Sequence, residues 1–182
     1  MSVAEDVGRI ASAAAAFAEP GEELAGVLVA ETLGRLVYLC AFESSGGHSW
    51  LALDAGAQPL TERQLVREAA SLAALCEVAE ESAGGGHLEE LRRRLVELRE
   101  TDNPEGIEEA EAAAASLADT LEPEPRVASA TYLDEIGSAS RRLEQALGES
   151  GASPFAAAMQ AALGSVEELG DDVERNYKLP LA

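Results

Sequence analysis

Apolar residues recur along this chain in two rhythms. Over most of its length they return at steps of three and four, which draws one buried stripe per helix; between Leu24 and Asp54 they gather in strand-length blocks. Six helical stripes can be read. The first, over about residues 2–18, carries Val7, Ile10, Ala14 and Phe17, opens on the capping-box pair Ser2 and Glu5, and stops at Pro20–Gly21. A second such pair, Thr61 and Gln64, precedes Leu65, Ala69, Leu72, Cys76 and Ala79, and Gly84–Gly86 ends that helix. Leu88, Leu91, Leu95 and Leu98 mark a short third helix to about Glu100, and Asn103–Pro104 launches a fourth through Ile107, Ala110, Ala114, Leu117 and Leu121. Beyond Glu122–Arg126, whose two prolines favour an extended linker, Leu133, Ile136, Ser140, Leu143 and Leu147 form a fifth helix ending at Gly148. A flexible joint over 148–153 leads to Ser153–Pro154 and a sixth helix carrying Phe155, Met159, Ala162, Val166, Leu169 and Val173; the tail after it is expected to fray, with Tyr177 and Leu179 able to dock.

The blocks from Leu24 to Asp54 read as three antiparallel strands joined by hairpin turns at Leu33–Gly34 and at Ser44–Gly47. The middle block is apolar on both sides, with Leu36, Tyr38, Cys40 and Phe42 on one face and Val37, Leu39 and Ala41 on the other. A sheet with one wet face would alternate apolar and polar residues, so this strand must be covered twice. One face suits the helix that follows. The other presents Tyr38, Phe42, His48 and Trp50 if the strands align, and three covers compete for it: the chain's own terminal helices, a second copy, or a different partner or ligand. These four residues are the candidate interaction surface.

The fold expected is therefore α+β and mainly helical: a three-stranded antiparallel β-meander packed with a bundle of about six helices whose narrow, alanine-filled seams suit close antiparallel packing. The segment 1–121 holds the first helix, the meander and the following helices. The segment 127–182 is a C-terminal helical pair resting on the same domain. A chain of 182 residues can bury roughly 70% of its unfolded surface without a disulfide or metal, so Cys40 and Cys76 are expected as reduced core thiols, with their pairing left open.

Charge changes the picture of partners. Thirteen basic against 34 acidic residues give a formal net charge of −21, and Lys178 is the single lysine. Nucleic-acid backbones and anionic membranes need clustered Lys and Arg. The one cluster, Arg92–Arg94, sits among Glu89, Glu90, Glu97 and Glu100 at helical spacing and reads as a self-neutralised surface. The N-terminal residues Glu5 and Asp6 do not suit a secretory signal, and no apolar run reaches the ~20 residues of a membrane span. A cytoplasmic protein is expected.

Candidate chemistry is sparse. Motifs for acyl transfer, phosphate loops and zinc peptidases are missing, and the two histidines, His48 and His87, stand at loop edges. His87 begins a helix where backbone amides could hold an anion, but Glu89 and Glu90 in the same turn would repel it, so it reads as a loop or cap residue. Two Glu-x-x-Glu pairs, Glu77/Glu80 and Glu97/Glu100, lie on successive helices. Their spacing is similar to the divalent-metal pattern of the all-α nucleoside triphosphate pyrophosphatases, although that pattern ends in Asp where this chain has Glu100. The resemblance implies Mg²⁺ held by Glu77, Glu80, Glu97 and Glu100 over a phosphate chain. On a helical wheel Glu80 lies beside its seam while Glu97 and Glu100 point away from theirs. A third possibility, an inhibitor that mimics DNA with its carboxylates, needs those acids on one face, whereas they line the outward side of every helix. The reading favoured by the sequence is a non-enzymatic, self-associating interaction or regulatory protein with no resident cofactor.

Overall fold

The computed structural model describes residues 2–100, 104–148 and 154–182. The chain is α+β. Along it run α1 (Val3–Ala14), a 3-10 turn (Ala15–Phe17), β1 (Glu23–Thr32), β2 (Arg35–Ser44), β3 (Gly47–Leu53), α2 (Arg63–Ala83), α3 (Gly85–Glu100), α4 (Pro104–Leu121), β4 (Val127–Ala128), α5 (Ala130–Ala146), α6 (Pro154–Ala161) and α7 (Leu163–Arg175). They form two compact units. The first comprises Met1–Ala74, Glu124–Ala130 and Gly164–Ala182, and the second Leu75–Pro123 and Thr131–Leu163.

The first unit is built on the sheet. The expected antiparallel meander is present, but a fourth strand joins it: β4 pairs parallel to β1, giving the order β3-β2-β1-β4 and a mixed sheet. Two residues are too few for a periodic signal, so β4 could not be read from the proline-rich linker. Leu33 and Gly34, both at positive φ (50° and 70°), make the tight turn between β1 and β2, the geometry whose twist suits a two-residue hairpin. Tyr38, Cys40 and Phe42 pack with Val29, Leu51 and Leu53 beneath Ile10 and Ala14 of α1. Ser2 caps that helix, its hydroxyl accepting from the Glu5 amide at 3.2 Å while the Glu5 carboxylate accepts from the Ser2 amide at 2.8 Å. The opposite face, with Ala30, Val37, Leu39 and Ala52, is as fully buried. The apolar stripes left in this unit to cover it are those of α2 (Leu65, Val66, Ala69) and α7 (Val166, Val173). These two helices approach closely: a Cβ on Gly170 would stand 3.4 Å from the Arg67 side chain, and Arg67 pairs with Asp171 at 2.7 Å and Glu174 at 3.3 Å.

Two helix boundaries and the tail depart from expectation. Helix α2 starts at Arg63, too late for Thr61 to be its cap, and Gln64 donates to Glu68 at 3.0 Å instead of closing a box. The sixth helical stripe is two helices, broken at Ala162 beside Gly164, where the chain passes from the second unit to the first. The tail does not fray, for the Trp50 amide donates to the Asn176 carbonyl and the Trp50 carbonyl accepts from the Lys178 amide, both at 2.9 Å. The Asn103 cap, the side chain of His87 and the joint at 149–153 with its Ser153 start lie outside the described residues.

The second unit is helical, and alanine dominates its core: Ala79, Ala83, Ala110, Ala113, Ala114 and Ala139 surround Leu91, Leu117, Ile136, Leu143 and Phe155. Gly137 lets the Phe155 ring come within van der Waals contact, 3.5 Å from where a Cβ would sit. Such a core permits close helix packing but buries little apolar area per residue, about 0.8 kcal/mol for each buried methylene that a larger side chain would add. Both cysteines are free and buried, and burial pushes the Cys40 thiol up to about 12, which leaves it unreactive.

Two substitutions test the sheet core in opposite directions. Ile10 is fully buried against the sheet, so Ile10→Ala should lower the unfolding free energy by about 2–5 kcal/mol in a urea titration. The Tyr38 hydroxyl is buried with no hydrogen-bond partner, and an orphaned donor of this kind costs about 1–3 kcal/mol. Tyr38→Phe should therefore raise stability, by about 1 kcal/mol, in the same titration.

Candidate functional site

The turn between β2 and β3 decides where the aromatic residues go. Its two-residue loop pairs Ser44 with Gly47, and so pairs even-numbered residues of β2 with odd-numbered residues of β3. Tyr38 stands opposite Leu53 and Phe42 opposite Ser49, whereas Trp50 faces Ala41 and His48 faces Glu43. Side chains alternate along a strand, so Tyr38 and Phe42 lie on the α1 side while His48 and Trp50 lie on the other. The four do not share a surface. Tyr38 and Phe42 are wholly buried by the chain's own residues.

His48 and Trp50 meet α7 instead. The Trp50 Nε1 donates to Asp172 Oδ2 at 3.0 Å, the His48 Nε2 lies 2.7 Å from the same oxygen, and Asn176 Nδ2 donates to Oδ1 at 2.8 Å. Burial pushes the Asp172 carboxyl up, but the bonds from His48 and Trp50, with Asn176, outweigh it and hold the group below the usual carboxylate range. A carboxylate engaged by three donors is a strut. It ties α7 to the rim of β3, with both of its oxygens engaged.

On the other face of the same rim, Lys178 enters the protein. Its side chain is 8% exposed, it pairs with Glu22, and its ammonium stands 4.5 Å from the Phe42 ring centroid. Glu22 also accepts from the Ser49 hydroxyl at 3.0 Å and the Glu19 amide at 2.9 Å. The Lys178 hydrogen bond, followed by that from the Glu19 backbone, holds the Glu22 carboxyl at about 2. Tyr177 completes the rim. Its hydroxyl accepts from the Ala52 amide at 2.9 Å and donates to the Leu60 carbonyl at 2.5 Å, and burial pushes it up to about 12. With the tail along β3 and β4 along β1, both outer strands of the three-stranded meander have a backbone partner.

The four acids of the metal pattern do not gather. Glu80 accepts from the Tyr132 hydroxyl at 2.6 Å, Glu97 lies 3.9 Å from Arg93, and Glu77 and Glu100 are exposed. Among the described residues no group of three or more His, Cys, Asp and Glu side chains is placed to hold a metal ion. No helix among them is long and apolar enough to cross a membrane.

An open concave surface lies in the second unit, between α4 and α5. Two hollows of about 800 and 440 Å³ follow the valley between these helices and share Ala112, Ser116 and Arg142. Its origin is legible in the helix wheels. Ala110, Ala113, Ala114 and Leu117 turn α4 inward, and Ile136, Ala139 and Leu143 do the same for α5. Over its middle the neighbouring strip of α4 holds Ala112, Ala115 and Ser116, too short to fill the space beside them. Asp119 and Glu135 line one end of the valley and Arg142 the other. The run Ala112–Ala115 was the available signal: four alanines in succession leave a helix small on more than its buried side. No protein-family model, curated protein or solved structure matches this chain.

The Glu22–Lys178 contact has a pH signature. A carboxyl held at about 2 when folded, against 4.5 ordinarily, contributes stability that is complete above pH 4.5 and is lost as pH falls through 2. Glu22→Gln should accordingly destabilise the protein at pH 7, and its difference from wild type should shrink steadily between pH 4.5 and 2 in denaturant titrations. A difference independent of pH would show that the charge of Glu22 plays no part.

Proposed function

We propose that this chain is a non-enzymatic interaction protein that self-associates, and that its helical unit carries the contact. The observation that supports this reading is the α4–α5 valley, a concave surface floored by Ala112, Ala115, Ser116 and Ala139 and filled by no side chain of its own. Small residues let a second backbone approach closely, and the apolar area they offer is gained only when a partner covers it. The sheet offers less. Its Tyr38 and Phe42 are buried, its outer strands are paired, and the polar groups at its rim are committed to Asp172 and Glu22. The His48–Asp172 pair, the nearest approach to a catalytic dyad, serves to dock α7.

Sedimentation equilibrium is the direct test. The wild-type chain should run heavier than its monomer at micromolar concentration. Ser116→Trp, which fills the valley from an exposed position common to both hollows, should return it to the monomer with an unchanged circular dichroism spectrum. A wild type that stays monomeric to millimolar concentration would end the proposal.

A further inference from the structure

The charges along the valley are arranged so that a second copy can satisfy them, and we infer that two chains dock α4–α5 face to face about a twofold axis at Ser116 and Ala139. This rests on the self-association reading and specifies its geometry. Helices α4 and α5 run antiparallel here, since Asp119 and Thr120 share one hollow with Tyr132 while Glu109 shares the other with Ala146. At about 1.5 Å per residue, Arg142 lies about 4.5 Å from Ala139 toward one end. Asp119 lies about as far from Ser116 toward the opposite end, and Glu135 slightly farther. A twofold axis through the midpoint exchanges the two ends. It brings each Arg142 to the level of the other copy's Asp119 and Glu135, twice over by symmetry, as an isologous interface requires. Glu109, the remaining carboxylate of the valley, falls at the level of the other copy's Pro123 and Tyr132, beyond Asp119 and Glu135.

The three charged groups are available for this. Arg142, Asp119 and Glu135 are exposed, and none makes an ion pair with a described residue. The net charge of −21 on each copy opposes association. At physiological ionic strength screening acts over about 8 Å, so that repulsion is blunted at long range while facing groups in the valley still feel one another. Local complementarity then sets which faces meet.

Charge exchange tests the geometry. Arg142→Glu places Glu against Asp119 and Glu135 across the axis, and the double variant Asp119→Arg with Glu135→Arg places three arginines together. Each alone should raise the dimer dissociation constant by about tenfold or more, since facing like charges are strongly unfavourable. The equimolar mixture of the two variants restores an opposite charge at every contact and should dimerise as wild type does, read by sedimentation velocity with one partner fluorescently labelled. Variants that each dimerise as tightly as wild type would place the interface elsewhere and overturn this arrangement while leaving self-association standing. Weakened variants whose mixture does not recover would overturn the twofold geometry. A wild type that is monomeric would remove both inferences together. All the altered positions are exposed, so thermal melts of each variant should stay within a few degrees of wild type.

Discussion

The burial of β2 on both of its faces is the constraint around which the first unit is arranged. Val37, Tyr38, Leu39 and Cys40 in succession, and Phe42 beyond the partly buried Ala41, have almost no solvent exposure. Each fully buried large side chain contributes roughly 1.5–3 kcal/mol relative to exposure, so leaving either face of this strand wet would forfeit several times that amount. One helix cannot cover both faces. Elements from the two ends of the chain therefore converge on the sheet, α1 from one side and α7 with the tail from the other direction of the sequence. The capping box at Ser2 and the strut at Asp172 fix these covers in place, and neither would have a purpose if β2 had one polar face.

The covers also close the sheet laterally. The 176–178 segment runs along β3 and β4 runs along β1, so the backbone groups that an outer strand would offer to another chain are partly occupied. Lys178 shows how closely the tail is fitted. The chain's single lysine is nearly buried, held between the Glu22 carboxylate and the Phe42 ring, where its charge is satisfied and its methylene stem adds to the apolar cluster. A flexible extension would not place a cation there.

The helical unit solves a different problem. With alanine at many inward positions, its helices gain stability from close approach more than from large buried side chains, and the same composition spreads onto the flank of α4. A helix rich in alanine has little with which to fill the space beside it. The valley between α4 and α5 is thus a by-product of the packing chosen for the core, and it leaves apolar surface to be covered. Charge is distributed to match. Arg142, Asp119 and Glu135 stand along the valley without an ion-pair partner among the described residues.

Local pattern carried much of this architecture. Helix periodicity, the Ser2–Glu5 box, the Leu33–Gly34 turn and the doubly apolar β2 depend on neighbours within a few residues, and these were legible from the chain alone. The inward face of Tyr38 and Phe42 was not, because it turns on whether the second hairpin loop holds two residues, a single-residue difference that flips every side chain of β3 to the other face. Nor were β4, the docking of Lys178, or the meeting of Asp172 with His48 and Trp50, since each joins residues far apart in the sequence whose approach depends on how the intervening helices pack. The α4–α5 valley sits between these cases. Its alanines were visible from the outset, but an empty space has no residue of its own, and only the placement of two helices side by side could show that nothing fills it.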